Sequence, residues 1–109
     1  LEAVYNEALC MELAKQGVVY LSEVELPIFY KGEPMHKKYR MDIVCSDVIV
    51  ELKAVDALTA EHRAQLFNYL RLTQKPVGIL INFGENQLHF EKYYYDIIEN
   101  EIRLFNEVF

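Results

Sequence analysis

The sequence has little of what marks several specialised protein classes. It contains only two cysteines, Cys10 and Cys45, and their spacing fits neither a zinc site nor a disulfide framework. No apolar run approaches the roughly 18 residues that a membrane-spanning helix needs. Basic residues are also few, because 11 Lys and Arg stand against 17 Asp and Glu and the formal net charge is -6. This balance excludes general binding of nucleic acid by bulk charge. We expect a cytoplasmic protein with two reduced, buried thiols.

The remaining composition is that of an ordinary folded domain. Of the 109 residues, 52% are hydrophobic and 26% are charged, and the chain shows no repeats, linkers or low-complexity tracts. A chain of this size buries one core, so we expect a single domain over residues 1–109. Because the sequence starts at Leu1 and not at Met, we also expect that an N-terminal segment is missing.

Hydrophobic periodicity predicts two helices. The first covers residues 2–16 and ends at Gly17, and the second is capped by Thr59 and runs to Thr73. The first helix has an apolar stripe made of Ala3, Val4, Leu9, Leu13 and Ala14, with Tyr5 and Met11 nearby. The buried stripe predicted for the second helix consists of Ala60, Ala64, Phe67 and Leu70.

Six segments rich in β-branched and aromatic residues predict strands, at residues 18–30, 35–45, 48–55, 77–83, 88–96 and 101–105. Pro27 indicates that the first strand lies at a sheet edge or breaks there. The nearly continuous apolar run at 77–83 is typical of a strand covered on both faces. The order α-β-β-β-α-β with a C-terminal β-hairpin predicts an α/β or α+β fold, with helices around one mixed sheet.

The second and third strands carry the most informative pattern. With Ser46-Asp47 as the turn, Cys45, Ile43 and Met41 face Val48, Val50 and Leu52 on an apolar core face. The other face pairs Val44 with Ile49, Asp42 with Glu51 and Arg40 with Lys53. Two carboxylates directly opposite each other destabilise a sheet, and a Mg²⁺ ion with phosphate ligands removes that conflict. Lys53, on the same side of its strand as Glu51, could then orient or deprotonate an attacking water.

A solvated strand face is the alternative explanation for these charges, with Arg40 pairing diagonally with Glu51. The flanking apolar residues at 48–50 and 54–55 indicate a central strand, where an acidic residue is costly without a partner. The cation site is therefore the favoured interpretation.

The second helix adds polar residues on one side. Gln65 and Tyr69 are four residues apart, and His62 precedes Gln65 by three. Taken alone, Gln65 and Tyr69 are more typical of amphipathic surface or a core edge. His62 is better interpreted as a partly exposed helix residue than as a metal ligand.

Together these residues resemble a known family. Asp42, Glu51-Leu52-Lys53 and the pair Gln65 and Tyr69 are similar to the RecB-like, QxxxY arrangement of the PD-(D/E)xK nuclease superfamily. More narrowly, Glu2 and Tyr5 resemble the GxxExxY family of small bacterial and archaeal proteins, as do the segments VELKAV, AQLFNYL and VGILINFG. Met41 replaces the Pro of the superfamily's name, and the Gly of GxxExxY would fall before Leu1.

The resemblance implies a restriction-endonuclease-like core and assigns roles by position. Asp42, Glu51 and Glu2 would hold Mg²⁺ or Mn²⁺, and Lys53 would be the catalytic lysine. Gln65 and Tyr69 would position the site or the nucleic-acid backbone. Phosphate contacts could come from the nearby basic residues Lys37, Lys38, Arg40, Arg63, Arg71 and Lys75.

Two functions from different classes follow. The first is a metal-dependent nuclease acting on DNA or RNA. The second is a catalytically silent nuclease-fold module for binding or assembly, including a homodimer. The aromatic C-terminal hairpin favours the second, although its side chains would equally serve as packing against the sheet; they are Phe90, Tyr93, Tyr94, Tyr95, Phe105 and Phe109.

Overall fold

A computed structural model describes residues 1–105, which form a mixed α+β fold with one six-stranded sheet. Its elements are α1 (Glu2–Lys15), β1 (Leu21–Tyr30), β2 (Glu33–Cys45), β3 (Val48–Lys53), α2 (Ala60–Thr73), β4 (Val77–Asn82), β5 (His89–Asp96) and β6 (Glu101–Leu104). The strands lie in sequence order, and only β3 and β4 are parallel, joined by α2. The predicted order of elements is confirmed. Within residues 1–105, neither helix is long and apolar enough to cross a membrane.

Helix α1 ends through a left-handed glycine, as predicted. Gly17 has φ +74 and donates its N–H to the Ala14 carbonyl, and Val18 donates to Leu13. These two bonds form a Schellman motif, which satisfies carbonyls that the helix end would leave free. The predicted apolar stripe is only partly right. Buried Cys10 and half-buried Tyr5, Leu9 and Leu13 face the sheet, whereas Ala3, Val4, Met11 and Ala14 are exposed.

Helix α2 begins at a reciprocal cap. Thr59 Oγ1 accepts from the backbone N–H of His62, and His62 Nδ1 accepts from the N–H of Thr59. His62 is therefore a capping residue, and it is partly exposed, as expected from the sequence. The predicted buried stripe was wrong at Ala60 and Ala64, which are exposed. Leu66, Tyr69 and Leu70 are the residues that α2 buries, so its apolar face is rotated from the predicted one.

Each face of the sheet is covered by one helix. Under α1 lies a cluster around Cys10, Ile43, Val50 and Leu52, which Ile79 and Ile81 of β4 join. Under α2 lies a second cluster of eight buried residues, namely Met41, Val44, Ile49, Leu66, Tyr69, Leu70, Leu80 and Tyr93. Strand β4 contributes to both clusters, which confirms that it is covered on both faces. Cys10 is buried and Cys45 is half-buried, so the expectation of two buried thiols holds only for the first.

The predicted register between β2 and β3 is confirmed where the backbones pair. Cys45 lies opposite Val48, Val44 opposite Ile49, and Ile43 opposite Val50. The predicted face of Met41 was wrong, because Met41 packs under α2 while Ile43 packs under α1. Residues two apart on a regular strand share a face. Strand β2 is therefore irregular between Met41 and Ile43, at Asp42.

The two outer regions of the sheet follow the sequence pattern. Strand β1 is an edge strand, and its pairing with β2 shifts between Pro27 and Phe29, as the proline predicted. In the C-terminal hairpin, Tyr93 is buried in the α2 cluster, which supports the packing interpretation for that residue. Phe90 remains 61% exposed, and Phe109 lies outside the described residues.

Candidate active site

Asp42 and Glu51 meet where the backbone pairing of β2 and β3 stops. The backbone N–H of Asp42 donates to Glu51 Oε1 at 3.0 Å. In return, Asp42 Oδ2 accepts from the N–H of Leu52 at 2.8 Å. Carboxylate oxygens thus accept these two amides at the point where amide-to-carbonyl pairing between the strands ends. These two hydrogen bonds fix the separation of the strands at this point, and they also fix the two carboxylates.

The neighbouring strand β1 is irregular at the same level. Its pairs with β2 run through Ser22–Ile43 and resume at Val24–Met41. Between them, Glu23 adopts φ +53, a left-handed conformation that is uncommon for a residue with a side chain. Distortion on both sides of Asp42 explains why sequence alternation placed Met41 on the wrong face.

Glu51 is buried, with only 2% of its surface exposed. Burial and then the adjacent Asp42 carboxylate raise its pKa from 4.5 to about 9, an effect that Lys53 partly offsets. Burial and then the nearby Glu51 carboxylate raise the pKa of Tyr69. A residue so enclosed does not belong to a solvated strand face, and that interpretation of Glu51 was wrong.

Helix α2 contacts the site strands through Gln65 and Tyr69. Lys53 Nζ donates to Gln65 Oε1 at 3.2 Å, which directs the lysine toward the helix. Tyr69, 1% exposed, donates its hydroxyl to the Arg40 carbonyl at 3.0 Å. The i, i+4 spacing therefore brings one helix face to both site strands, to Lys53 on β3 and to the backbone of β2 just before Asp42.

Four of the six basic residues that the sequence offered for phosphate contacts bond to other groups of the protein within residues 1–105, namely Lys38, Arg40, Arg63 and Lys75. Arg40 lies 4.0 Å from both Glu23 and Glu25, so its ionic partners within residues 1–105 are on β1 and do not include Glu51. Lys38 pairs with Glu25 at 3.3 Å. Further off, Arg63 forms a bidentate pair with Glu91 at 2.8 and 3.0 Å, and Lys75 donates to the Ser46 carbonyl.

Glu2 lies near Asp42 on the α1 side of the sheet. It lines one pocket together with Asn6, Glu23 and Asp42, whereas neither Glu51 nor Lys53 lines that pocket. Asn6 lies one helical turn after Glu2, and its Oδ1 accepts from Ser22 Oγ and from the Cys10 thiol. Sequence analysis missed Asn6, although its i, i+4 spacing from Glu2 was a usable signal.

The donor set suits a hard divalent cation held by few protein ligands. Within residues 1–105, no three His, Cys, Asp or Glu side chains lie close enough to form a complete metal cluster. Mg²⁺, however, uses one or two carboxylates and fills its remaining positions with water and phosphate oxygens. Asp42 and Glu51 supply such a pair. A cation between them would offset the unfavourable charge interaction by which Asp42 helps to raise the pKa of Glu51. The Asp42 and Glu51 pair therefore fits the group, and Glu2 shares a pocket with Asp42 alone of the two.

A buried amide beside the site was also missed. Asn82 is fully buried at the end of β4 and pairs with Lys53 in the parallel ladder. Its side chain accepts from the N–H groups of Val55 and Gly84 and donates to the Val55 carbonyl and to Glu85. It ties the segment after Lys53 to the segment after β4. Within an apolar strand, nothing in the sequence distinguished it from a strand-end polar residue.

Comparison with known proteins agrees with this geometry. Three solved chains match, and one of them is the crystal structure of SSO0001, at 22% identity and a TM-score of 0.64. That match covers 84% of this chain and 48% of the other, so this chain spans about half the length of SSO0001. At this identity the likeness shows the fold alone. No curated protein matches the sequence.

The family comparison covers nearly all of the chain. The model of the PD-(D/E)XK nuclease superfamily matches residues 1–102, which include both helices and the strands with Asp42, Glu51 and Lys53. A mixed sheet between two helices is consistent with the restriction-endonuclease-like fold expected from the sequence. Divalent metals and nucleic acid are the general cofactors and substrates of that superfamily. The chain belongs to the PD-(D/E)XK nuclease superfamily.

Proposed function

We propose that this protein is a Mg²⁺- or Mn²⁺-dependent nuclease that hydrolyses phosphodiester bonds of DNA or RNA. The observation that carries the proposal is the pair of hydrogen bonds that holds the two carboxylates together, from the Asp42 N–H to Glu51 Oε1 and from the Leu52 N–H to Asp42 Oδ2. Nothing in the stability of a sheet requires two carboxylates at a strand opening, one of them buried. Because this arrangement costs stability, it is more typical of a functional site than of residues that the fold requires.

Asp42 and Glu51 are the proposed ligands, and Glu2 completes the acidic environment from α1. A bound Mg²⁺ or Mn²⁺ ion supplies Lewis acidity to the phosphate and lowers the pKa of water. The Asp42 and Glu51 carboxylates are held in advance by the amides that they accept, so binding requires little rearrangement.

Lys53 is the proposed catalytic cation. Its ammonium group neutralises charge at the scissile phosphate or orients the attacking water. The bond to Gln65 restricts its long side chain to one direction. Tyr69 is a positioning residue, because its hydrogen bond to the Arg40 carbonyl holds the backbone that leads to Asp42.

The finer family assignment is part of the same proposal. We place the chain in the GxxExxY family and in the QxxxY arrangement of the superfamily, as a cytoplasmic single-domain protein. Two side-chain contacts and one shared pocket support this assignment. Gln65 and Tyr69 both contact site strands, and Glu2 shares a pocket with Asp42.

The test is cleavage of labelled DNA and RNA, single- and double-stranded, with Mg²⁺, Mn²⁺ or EDTA. We expect cleavage with a metal only, and we expect Glu51→Gln and Lys53→Ala each to reduce it by at least about 10²-fold while circular dichroism shows a folded protein. Glu2→Gln should reduce cleavage less than Glu51→Gln, since Glu2 shares a pocket with Asp42 but not with Glu51. Glu12→Gln, on the same helix but outside that pocket, is the matched control and should retain full activity.

Cleavage that survives both Glu51→Gln and Lys53→Ala would contradict the proposal and indicate a contaminant. A folded wild-type protein that cleaves none of the substrates would favour the silent module for binding or assembly. Sedimentation at several concentrations then decides whether this module forms a homodimer.

A further inference from the structure

The hairpin formed by β1 and β2 extends beyond the rest of the sheet. The pairs of β2 with β3 involve only residues 43–45. Toward the other end, β2 pairs only with β1 within residues 1–105, through Pro27–Lys38, Phe29–Pro34 and Tyr30–Glu33. We define residues 27–38 as the hairpin arm. Its Lys31-Gly32 turn has positive φ at both positions, which matches the twist of a two-stranded ribbon.

Large apolar and aromatic side chains of the hairpin arm face solvent. Phe29 is 60% exposed, Tyr30 64% and Met35 45%. Every residue of β2 from Glu33 to Lys38 is exposed, whereas Tyr39, the next one, packs against the α2 cluster. The arm therefore contributes almost nothing to the core, so the fold does not explain its composition.

The charge of the hairpin arm is opposite to that of the protein. It carries Lys31, Lys37 and Lys38 against the single acid Glu33, a formal charge of +2 with His36 neutral, in a chain of net charge -6. Lys31 Nζ also lies 5.5 Å from the ring centroid of Tyr30. Adjacent cations and exposed aromatic rings suit a polyanion whose sugars and bases present apolar surface.

The shape of the hairpin arm favours a duplex. A two-stranded ribbon has the width that the major groove of B-form DNA admits, about 12 Å. The arm is also continuous with the site, since Lys38 precedes Asp42 by four residues, or about 13 Å of extended strand. A duplex held by the arm would therefore pass beside Asp42.

We propose that the hairpin arm is a docking element for double-stranded DNA, with Lys31 and Lys37 contacting phosphates and Phe29 and Tyr30 contacting the groove. This inference rests on the proposed nuclease function and names its substrate class. The neighbouring Lys38 is partly neutralised by Glu25, so Lys31 and Lys37 are the better probes.

The test is the affinity of the full chain for a labelled DNA duplex of about 25 base pairs, more than two helical turns, in EDTA at several salt concentrations. The arm variant is Lys31→Glu/Lys37→Glu. The control, Lys15→Glu/Arg103→Glu, makes the same change in net charge at exposed positions of α1 and β6. Phe29→Ala/Tyr30→Ala tests the aromatic contacts without changing charge. Circular dichroism and thermal melting verify that each variant is folded.

We expect the arm variant to bind the duplex about 10-fold more weakly or worse near physiological salt. The slope of log affinity against log salt should fall by about 2, since each phosphate contact contributes about 0.9. The control should stay within about 2-fold of wild type, and Phe29→Ala/Tyr30→Ala should weaken binding with an unchanged salt slope.

Equal losses in the arm variant and the control would overturn the inference, because only bulk charge would then matter. An equal loss with single-stranded DNA would overturn the duplex assignment. A dimer that the arm variant converts to monomer would make the arm an interface between copies. If wild type cleaves DNA but the arm variant binds normally, the arm inference fails alone. If the arm binds duplex and no metal supports cleavage, the proposed function fails alone.

Discussion

The backbone N–H of Asp42 donates to Glu51 Oε1 at 3.0 Å, so the backbone of one acidic residue fixes the carboxylate of the other. In turn, the backbone N–H of Leu52 donates to Asp42 Oδ2 at 2.8 Å. Each of the two carboxylates thus accepts a backbone hydrogen bond that also fixes its position for binding a cation. The central claim is that this pair holds a divalent cation for phosphodiester hydrolysis.

Lys53 and Gln65 should affect catalysis in different degrees. Lys53→Ala removes the proposed cation at the phosphate, and we expect kcat to fall by about 10²–10³-fold. Gln65→Ala leaves the ammonium in place without its 3.2 Å acceptor, so we expect a smaller loss in kcat with little change in KM. Steady-state kinetics measure both values, with the exposed Gln87→Ala as control. A Gln65→Ala variant as inactive as Lys53→Ala would show that Gln65 has more than a positioning role.

Glu51→Gln should stabilise the metal-free protein. The pKa of Glu51 is raised to about 9 in the fold, above its ordinary value of 4.5. Its contribution to stability is therefore fully present below pH 4.5 and is lost as the pH rises toward 9. Glutamine does not ionise, so the stability of the variant does not fall over this pH range for that reason. The variant should exceed wild type by at least ~1 kcal/mol at pH 8, since one pKa unit corresponds to about 1.4 kcal/mol, and by less at pH 5.

Urea unfolding in EDTA at the two pH values measures this difference. Glu12→Gln, an exposed carboxyl of α1, should show no comparable pH dependence. A Glu51→Gln variant that is less stable than wild type at pH 8 would mean that the carboxyl is ionised and well compensated in the fold.

Glu91 should give the opposite pH dependence. Its bidentate bonds from Arg63, with further bonds from Tyr93 and His89, lower its pKa to about 2. A depressed carboxyl stabilises the fold above its ordinary pKa of 4.5, and this contribution is lost as the pH falls toward 2. We expect Glu91→Gln to be less stable than wild type at pH 7 and to approach it near pH 2–3. Melting temperatures across this range test the prediction, and a constant difference would contradict it.

Asn82 should be needed for stability. It is fully buried and makes four hydrogen bonds to the segments after β3 and β4. Asn82→Ala leaves the partly buried N–H and carbonyl of Val55 without their side-chain partner, and we expect a loss of about 2–3 kcal/mol. Gly84→Ala should also destabilise, because an added Cβ would lie 2.3 Å from the Val55 carbonyl oxygen.

Denaturant unfolding measures both losses. Gly32→Ala is a useful comparison, since a Cβ there meets no atom within 4 Å and only the positive φ opposes it. If Asn82→Ala unfolds at the same denaturant concentration as wild type, the tie between the two segments is unimportant.

The sequence predicted the element order and the near-turn register of β2 and β3 because both depend on local pattern. Alternation placed Ile43 opposite Val50 correctly. It failed at Met41, because the strand opening at Asp42 depends on side-chain bonds to the opposite strand that alternation does not contain.

The helix faces show a second limit of sequence patterns. Ala60 and Ala64 are apolar by type but too small to decide which face packs, and Leu66 and Tyr69 took the buried side. The buried, hydrogen-bonded Tyr69 agrees with the core-edge alternative, although the predicted buried stripe of the helix did not include it. Asn82 was missed because a single amide in an apolar strand carries no periodic signal, whereas the spacing of Asn6 from Glu2 was a signal that was not used.

The most direct test of the central claim is an anomalous difference map from a crystal of the protein soaked in Mn²⁺. The account predicts a peak in contact with the Asp42 and Glu51 carboxylates, on the side open to Glu2. A map without a peak at these carboxylates, or with Mn²⁺ bound only elsewhere, would contradict it.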